Sequence, residues 1–170
     1  TFSRKRASSY TSNVLGMIGV SALALAVWLH HFFTMGAGAD VNAFFGLMTM
    51  LIAIPTSVLV LTWIATLRGG KIKFTTPMQW FLGFVAVFAI GGITGVMLAI
   101  PPADFQLHNS LLLVAHFHAT VIGGVLFGLF CAINYWLPKM TGLKLNERIG
   151  RYAFWCWIVG FCMSFIPMFV

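Results

Sequence analysis

Two pairs of histidines stand inside apolar stretches: His30 and His31 in WLHHFFTMG, and His116 and His118 in LLLVAHFHAT. A ligating side chain within such a stretch is costly and marks a site of function, and imidazole suits copper and iron. Neighbouring helical residues are turned by about 100° and residues two apart by about 200°. His116 and His118 therefore point to opposite sides of their helix, and each suits the axial position of a separate metal centre. His30 and His31 can share one metal if the helix end distorts slightly, and paired imidazoles among Trp28, Phe32 and Phe33 suit copper. Neither pair has the acidic companions that calcium or magnesium would require.

The elements that must hold these residues follow from composition. Of 170 residues, 60% are apolar and 8% charged, whereas about a quarter of a soluble domain is charged. The apolar residues form five stretches of spanning length, which takes about 20 residues each: Asn13–Phe33, Val41–Leu67, Met78–Ile100, Ser110–Leu137, and Tyr152 to the end. The expected fold is all-α, a polytopic transmembrane bundle of five spans, the last one truncated. The chain starts at Thr1 rather than Met and stops within an apolar run, so residues 1–170 are expected to be one domain, incomplete at both ends, of a larger subunit.

All 10 Lys and Arg residues lie in the N-terminal tail, the link after the second span or the link after the fourth, while Asp40 and Asp104 mark the other two links. The positive-inside rule makes the tail and the basic links cytoplasmic. The net charge of +7 is thus a topology signal, and its short clusters at membrane edges argue against nucleic acid as a partner. His30 and His31 then lie near the outer end of the first span, with His116 and His118 about 10 to 13 Å below the outer start of the fourth. Both pairs can share one layer.

Cys131, Cys156 and Cys162 lack a CxxC spacing and read as small core hydrophobes. The run after Arg4, Lys5 and Arg6 continues to spanning length with no small-residue cleavage site, which argues against a cleaved signal. Gly91 with Gly95, and Gly124 with Gly128, have the small-xxx-small spacing of close helix packing. Pro55 is expected to interrupt the second span, with Thr56 and Ser57 able to satisfy the freed backbone groups.

WLHHFFTMG (Trp28 to Gly36), MLIAIPT (Met50 to Thr56), GGITGVMLA (Gly91 to Ala99) and HNSLLLVAHFH (His108 to His118) together resemble subunit I of the haem-copper oxidases, over essentially the whole chain. HNSLLLVAHFHATVIGG, RKRASSYTS and GAGADVNAFFG resemble the ubiquinol-oxidising, cytochrome bo-type branch. The resemblance implies that His30 and His31 are two of three ligands of the copper called CuB. It implies that His116 is the proximal ligand of a high-spin haem of o or a type, and that His118 is an axial ligand of a low-spin b-type haem. Asp104 and His108 match an outer polar cluster above the haems, and Thr56 and Ser12 match polar members of a proton route.

The implied activity is reduction of oxygen to water at a haem-copper centre with quinol electrons, coupled to proton translocation. The implied setting is the bacterial inner membrane, with subunits of types II, III and IV, ubiquinol and the lipid bilayer as partners. The chain departs from the family where many relatives continue Pro-Thr-Gly-Val-Lys, the lysine carrying protons. Here the run is Pro55-Thr56-Ser57-Val58-Leu59, and Leu59 cannot carry a proton. Rival expectations are a nitric oxide reductase-like branch, which usually adds acidic ligands, and a catalytically silent haem-carrying scaffold. Alone, the chain is expected to be inactive.

Overall fold

A computed structural model describes residues 3–170. The described residues form α1 (Tyr10–Val27) with a 3-10 continuation (Trp28–Met35), α2 (Ala39–Leu67), α3 (Thr76–Leu98), α4 (Pro101–Leu107), α5 (Leu111–His118) continued by a π-helical segment (Ala119–Leu126) into α6 (Phe127–Thr141), and α7 (Glu147–Phe165) with a short 3-10 end (Ile166–Phe169). Five of the resulting helices, Tyr10–Met35, Ala39–Leu67, Thr76–Leu98, Leu111–Thr141 and Glu147–Phe169, are long and apolar enough to cross a membrane. The chain is an all-α, multi-pass membrane protein. Large apolar side chains such as Leu25 and Met163 face outward, as they should where the surroundings are lipid or other apolar helices.

The structure divides into two compact units. The first takes in residues 3–71 and 92–110. Here α1 and α2 pack lengthwise as an antiparallel pair. Ser9 caps α1, accepting a hydrogen bond from the Ser12 amide. The basic tail closes on the far end of α2, where Lys5 Nζ donates to the Arg68 carbonyl at 2.7 Å and the Ser8 amide donates to Thr66 Oγ1 at 3.0 Å. A cation at a helix C-terminus complements the carbonyls left unpaired there.

Pro55 does not interrupt its span. α2 runs unbroken through it, the Thr56 hydroxyl bonds the Ile52 carbonyl at 2.8 Å, and the proline ring rests against Gly19 of α1. The neighbouring small residue leaves room for the ring, so the helix continues past the missing bond rather than ending there. The link before the fourth span is also more ordered than a plain loop. Prolines at its first positions and Asp104 in its first turn start α4, which packs on α2 and on the 3-10 segment.

The second unit takes in residues 72–91 and 111–170. Its core gathers Trp80, Val87, Ala119, Phe127, Phe154 and Phe161, with Trp80 meeting Phe127 and Phe154 edge-on at 5.2 Å. Cys131 and Cys162 pack at the edge of this core as small apolar side chains, but Cys156 is exposed on the surface of the chain. The Glu147 carboxylate, at the start of α7, accepts from the Thr76 amide and hydroxyl at 2.9 and 2.8 Å, and so ties the starts of α3 and α7 together. α3 comes close at Gly123, where a Cβ would stand 2.7 Å from Val87 Cγ1, and not at Gly128, which has only Phe84 at 3.9 Å.

Candidate metal centre

His30 and His31 lie within the 3-10 segment, where Phe32 leaves helical geometry at φ −119°, ψ 19°. Within this segment the two rings lie against each other. Their centroids are 4.3 Å apart and tilted by 57°, and the two Nε2 atoms are 3.1 Å apart. The segment is anchored by Asn42, whose buried side-chain amide donates to the Phe33 carbonyl at 2.9 Å.

The tautomer of His30 follows from its partner. Thr49 Oγ1 lies 2.9 Å from His30 Nδ1 and gives its only proton to the Phe45 carbonyl at 2.6 Å. Nδ1 must then be the donor, which places the lone pair of the neutral ring on Nε2. At first-row metal–imidazole distances of about 2.0–2.1 Å, two nitrogens 3.1 Å apart subtend roughly 100° at a shared ion, a normal coordination angle. The donor set fits one soft-to-borderline metal such as copper, with two positions filled from this chain. Among the described residues no group of three His, Cys, Asp or Glu side chains gathers to hold a metal.

In the second unit, His116 and His118 diverge. His116 Nδ1–H donates to the Gly91 carbonyl of α3 at 2.9 Å, and His118 Nδ1–H to the Val114 carbonyl of its own helix at 2.8 Å. Both bonds leave the Nε2 lone pair as the ligating one. The first needs α3 very near: a Cβ at residue 91 would stand 2.9 Å from Thr120 Cγ2 and 3.2 Å from the Ala119 carbonyl carbon. His118 is turned to α7, where Phe165 stacks on it. The helix then changes register into the π segment, whose end is marked by the Phe127 amide bonding the Ile122 carbonyl. Such segments concentrate at functional sites.

Asp104 and His108 are brought together, Nδ1 of the histidine 3.1 Å from Oδ2 of a carboxylate that is 4% exposed. The carboxylate is buried and the imidazole partly so. Ser12 and Thr56 are not brought together. The Ser12 hydroxyl bonds Ser9 at the base of α1, Thr56 bonds its own helix, and Leu59 is buried against Gly16, one turn in from each. Thr49 and Phe165 escape a reading based on motifs, and Asn42, although it lies within GAGADVNAFFG, shows no sign there of its bond to Phe33. Thr49 immediately precedes the MLIAIPT run and lies seven residues before Thr56, hence on the same helix face, which is the one signal that points to it.

Comparison with known proteins gives these features a context. The whole chain, residues 1–170, matches the sequence profile of the family described as Cytochrome C and Quinol oxidase polypeptide I. It is 56% identical to cytochrome bo(3) ubiquinol oxidase subunit 1 of Buchnera aphidicola subsp. Acyrthosiphon pisum, over 99% of this chain and 26% of that one. It is 54% identical to a probable cytochrome c oxidase subunit 1 of Bradyrhizobium diazoefficiens, over 100% of this chain and 26% of the relative. With the ubiquinol oxidase subunit 1 of Acetobacter aceti the identity is 53%, over 99% and 26%. The chain therefore spans about a quarter of the length of these relatives. A cryo-electron microscopy structure of a heme-copper terminal oxidase dimer superposes with a TM-score of 0.83 at 25% identity, covering 95% of this chain and 32% of that one. By sequence over its full length and by fold, the chain belongs to the cytochrome c and quinol oxidase polypeptide I family.

Proposed function

We propose that this chain is part of the catalytic subunit of a terminal respiratory oxidase that reduces oxygen to water with electrons from ubiquinol and translocates protons across the bacterial inner membrane. The observation that carries the reading is the convergence of the His30 and His31 Nε2 atoms, 3.1 Å apart, in a chain 56% identical to a ubiquinol oxidase subunit. In this reading His30 and His31 hold CuB, His116 holds a high-spin haem of o or a type and His118 a low-spin b-type haem. The basic tail is cytoplasmic, and the two compact units are portions of one subunit I domain. Subunits of types II, III and IV complete the complex.

When bound, the haems and copper supply the electron transfer and oxygen chemistry. The residues of this chain do the placing. Thr49 and the Gly91 and Val114 carbonyls hold the Nδ1 protons of His30, His116 and His118, so that each ring presents Nε2 as a neutral ligand. The apolar flanks, Phe33 and Ala115 among them, exclude water, and the Asp104–His108 pair offers a polar group for protons leaving outward. Leu59 packed on Gly16 fills the seam between Ser12 and Thr56, so inward proton delivery takes another path.

Ubiquinol is favoured as donor because the Buchnera and Acetobacter relatives are named for it, whereas the Bradyrhizobium relative is named as a probable cytochrome c oxidase. Oxygen uptake by the complete complex, measured with ubiquinol and with reduced cytochrome c, tests the reading. Uptake with ubiquinol alone is expected; uptake with cytochrome c alone overturns the donor, and no uptake with either overturns the function.

A further inference from the structure

The flat face of His118 is covered by an aromatic ring from another helix. The Phe165 ring, on the last residue of α7, lies 4.3 Å from the imidazole centroid with the planes 20° apart, a stacked arrangement. The Nδ1–H bond to the Val114 carbonyl holds one atom of the imidazole but leaves the ring able to swivel about that bond. A flat contact over the ring face is a second restraint of a different kind. Phe117 also approaches the ring at 4.3 Å, but it is tilted by 33°, exposed, and moves with its neighbour on the same helix. Phe165 is held independently, by Phe161 at 5.2 Å, a member of the unit's core.

From this geometry, and resting on the reading of His118 as a haem ligand, we propose that Phe165 is a positioning residue that fixes the rotational angle of the His118 imidazole plane. A ring clamped by a hydrogen bond at one atom and a stack over its face has one orientation to offer a porphyrin, and outer-shell partners of this kind tune the electronics of an axial ligand. Phe165 packs against the core and also borders an open groove of about 330 Å³ lined by Ile122, Trp157 and Phe161, so shortening it widens a space that already exists.

The test uses the complete, haem-loaded complex carrying Phe165→Leu, Phe165→Tyr or His118→Ala. Electron paramagnetic resonance of the oxidised low-spin haem reports the orientation of the axial imidazole, and an optical redox titration reports its midpoint potential. Phe165→Leu is expected to keep the haem yet shift and broaden the low-spin g-values and move the midpoint, while Phe165→Tyr restores both. Unchanged g-values and midpoint in Phe165→Leu, at full haem content, overturn the proposal. Should the leucine variant lose haem, Phe165→Met, which keeps volume without a flat ring, decides on the same readouts. His118→Ala distinguishes the parent reading: if the low-spin signal survives there, His118 is not the ligand, whatever Phe165 does.

Discussion

Leu59 fills the notch that Gly16 leaves in α1, its Cγ lying 2.8 Å from the point where a Cβ on residue 16 would stand. The two residues therefore set the distance between α1 and α2. Gly16→Val is expected to destabilise the subunit by about 1–3 kcal/mol through overpacking. Adding Leu59→Ala should recover part of that loss, a coupling read from a double-mutant cycle of thermal unfolding in detergent. Gly92→Ala, with nothing within 4 Å of its new carbon, is the control and should be silent. Strict additivity of the Gly16 and Leu59 changes would show that the notch does not set the spacing.

Thr49 governs the proton on His30. Thr49→Val keeps the shape but removes the acceptor for Nδ1–H, and loss of such an outer-shell partner weakens metal affinity by about 10–100-fold. Thr49→Ser should stay near the parent. Copper content of purified complexes after dialysis against a chelator of graded strength measures this, and equal retention by the Val and Ser variants would remove Thr49 from the site.

The opposite facings of His116 and His118 make their losses separable. In the complete subunit, His116→Ala should abolish the carbon monoxide-binding, high-spin haem signal and leave the low-spin signal, while His118→Ala should do the reverse. Loss of both signals in either variant, with the fold shown intact by circular dichroism, contradicts the two-flank assignment.

Glu147 is predicted to act on a helix other than its own. Glu147→Ala removes the acceptor for the Thr76 amide and hydroxyl, which should cost about 1 kcal/mol given the partial exposure of the pair. The effect should be local: faster hydrogen exchange at the start of α3, over Thr76 to Gln79, with the middle of that helix unchanged. Uniform acceleration along α3 would indicate general destabilisation instead.

Much of this was open to reading in the chain itself, for physical reasons that vary with the residue. The bilayer demands long apolar runs, so the five spans are legible. Their ends are less so, because hydropathy does not register a cap such as Ser9 or the early start of α7 at Glu147. The divergence of His116 and His118 follows from helical geometry alone. The convergence of His30 and His31 falls in a segment of 3-10 winding, a departure foreseeable in kind, whose extent over Trp28–Met35 left no mark in composition. Pro55 suggests a break until Gly19 is seen beside it, a contact between distant parts of the chain. Phe165 and Val114 likewise act on His118 through a stack and a backbone carbonyl, neither of which a motif can display.

The π segment that begins directly after His118 spans eight residues and winds more loosely than the helices on either side of it. One extra residue in a turn rotates everything beyond it by about 100°. The upper and lower halves of this long helix can therefore be aimed separately, like two lengths of rod joined by a swivel. Substitutions that suit α6 to Trp80 and Trp157 need not disturb the bearing of the imidazoles above, and that freedom lets packing and ligation be adjusted on one continuous helix.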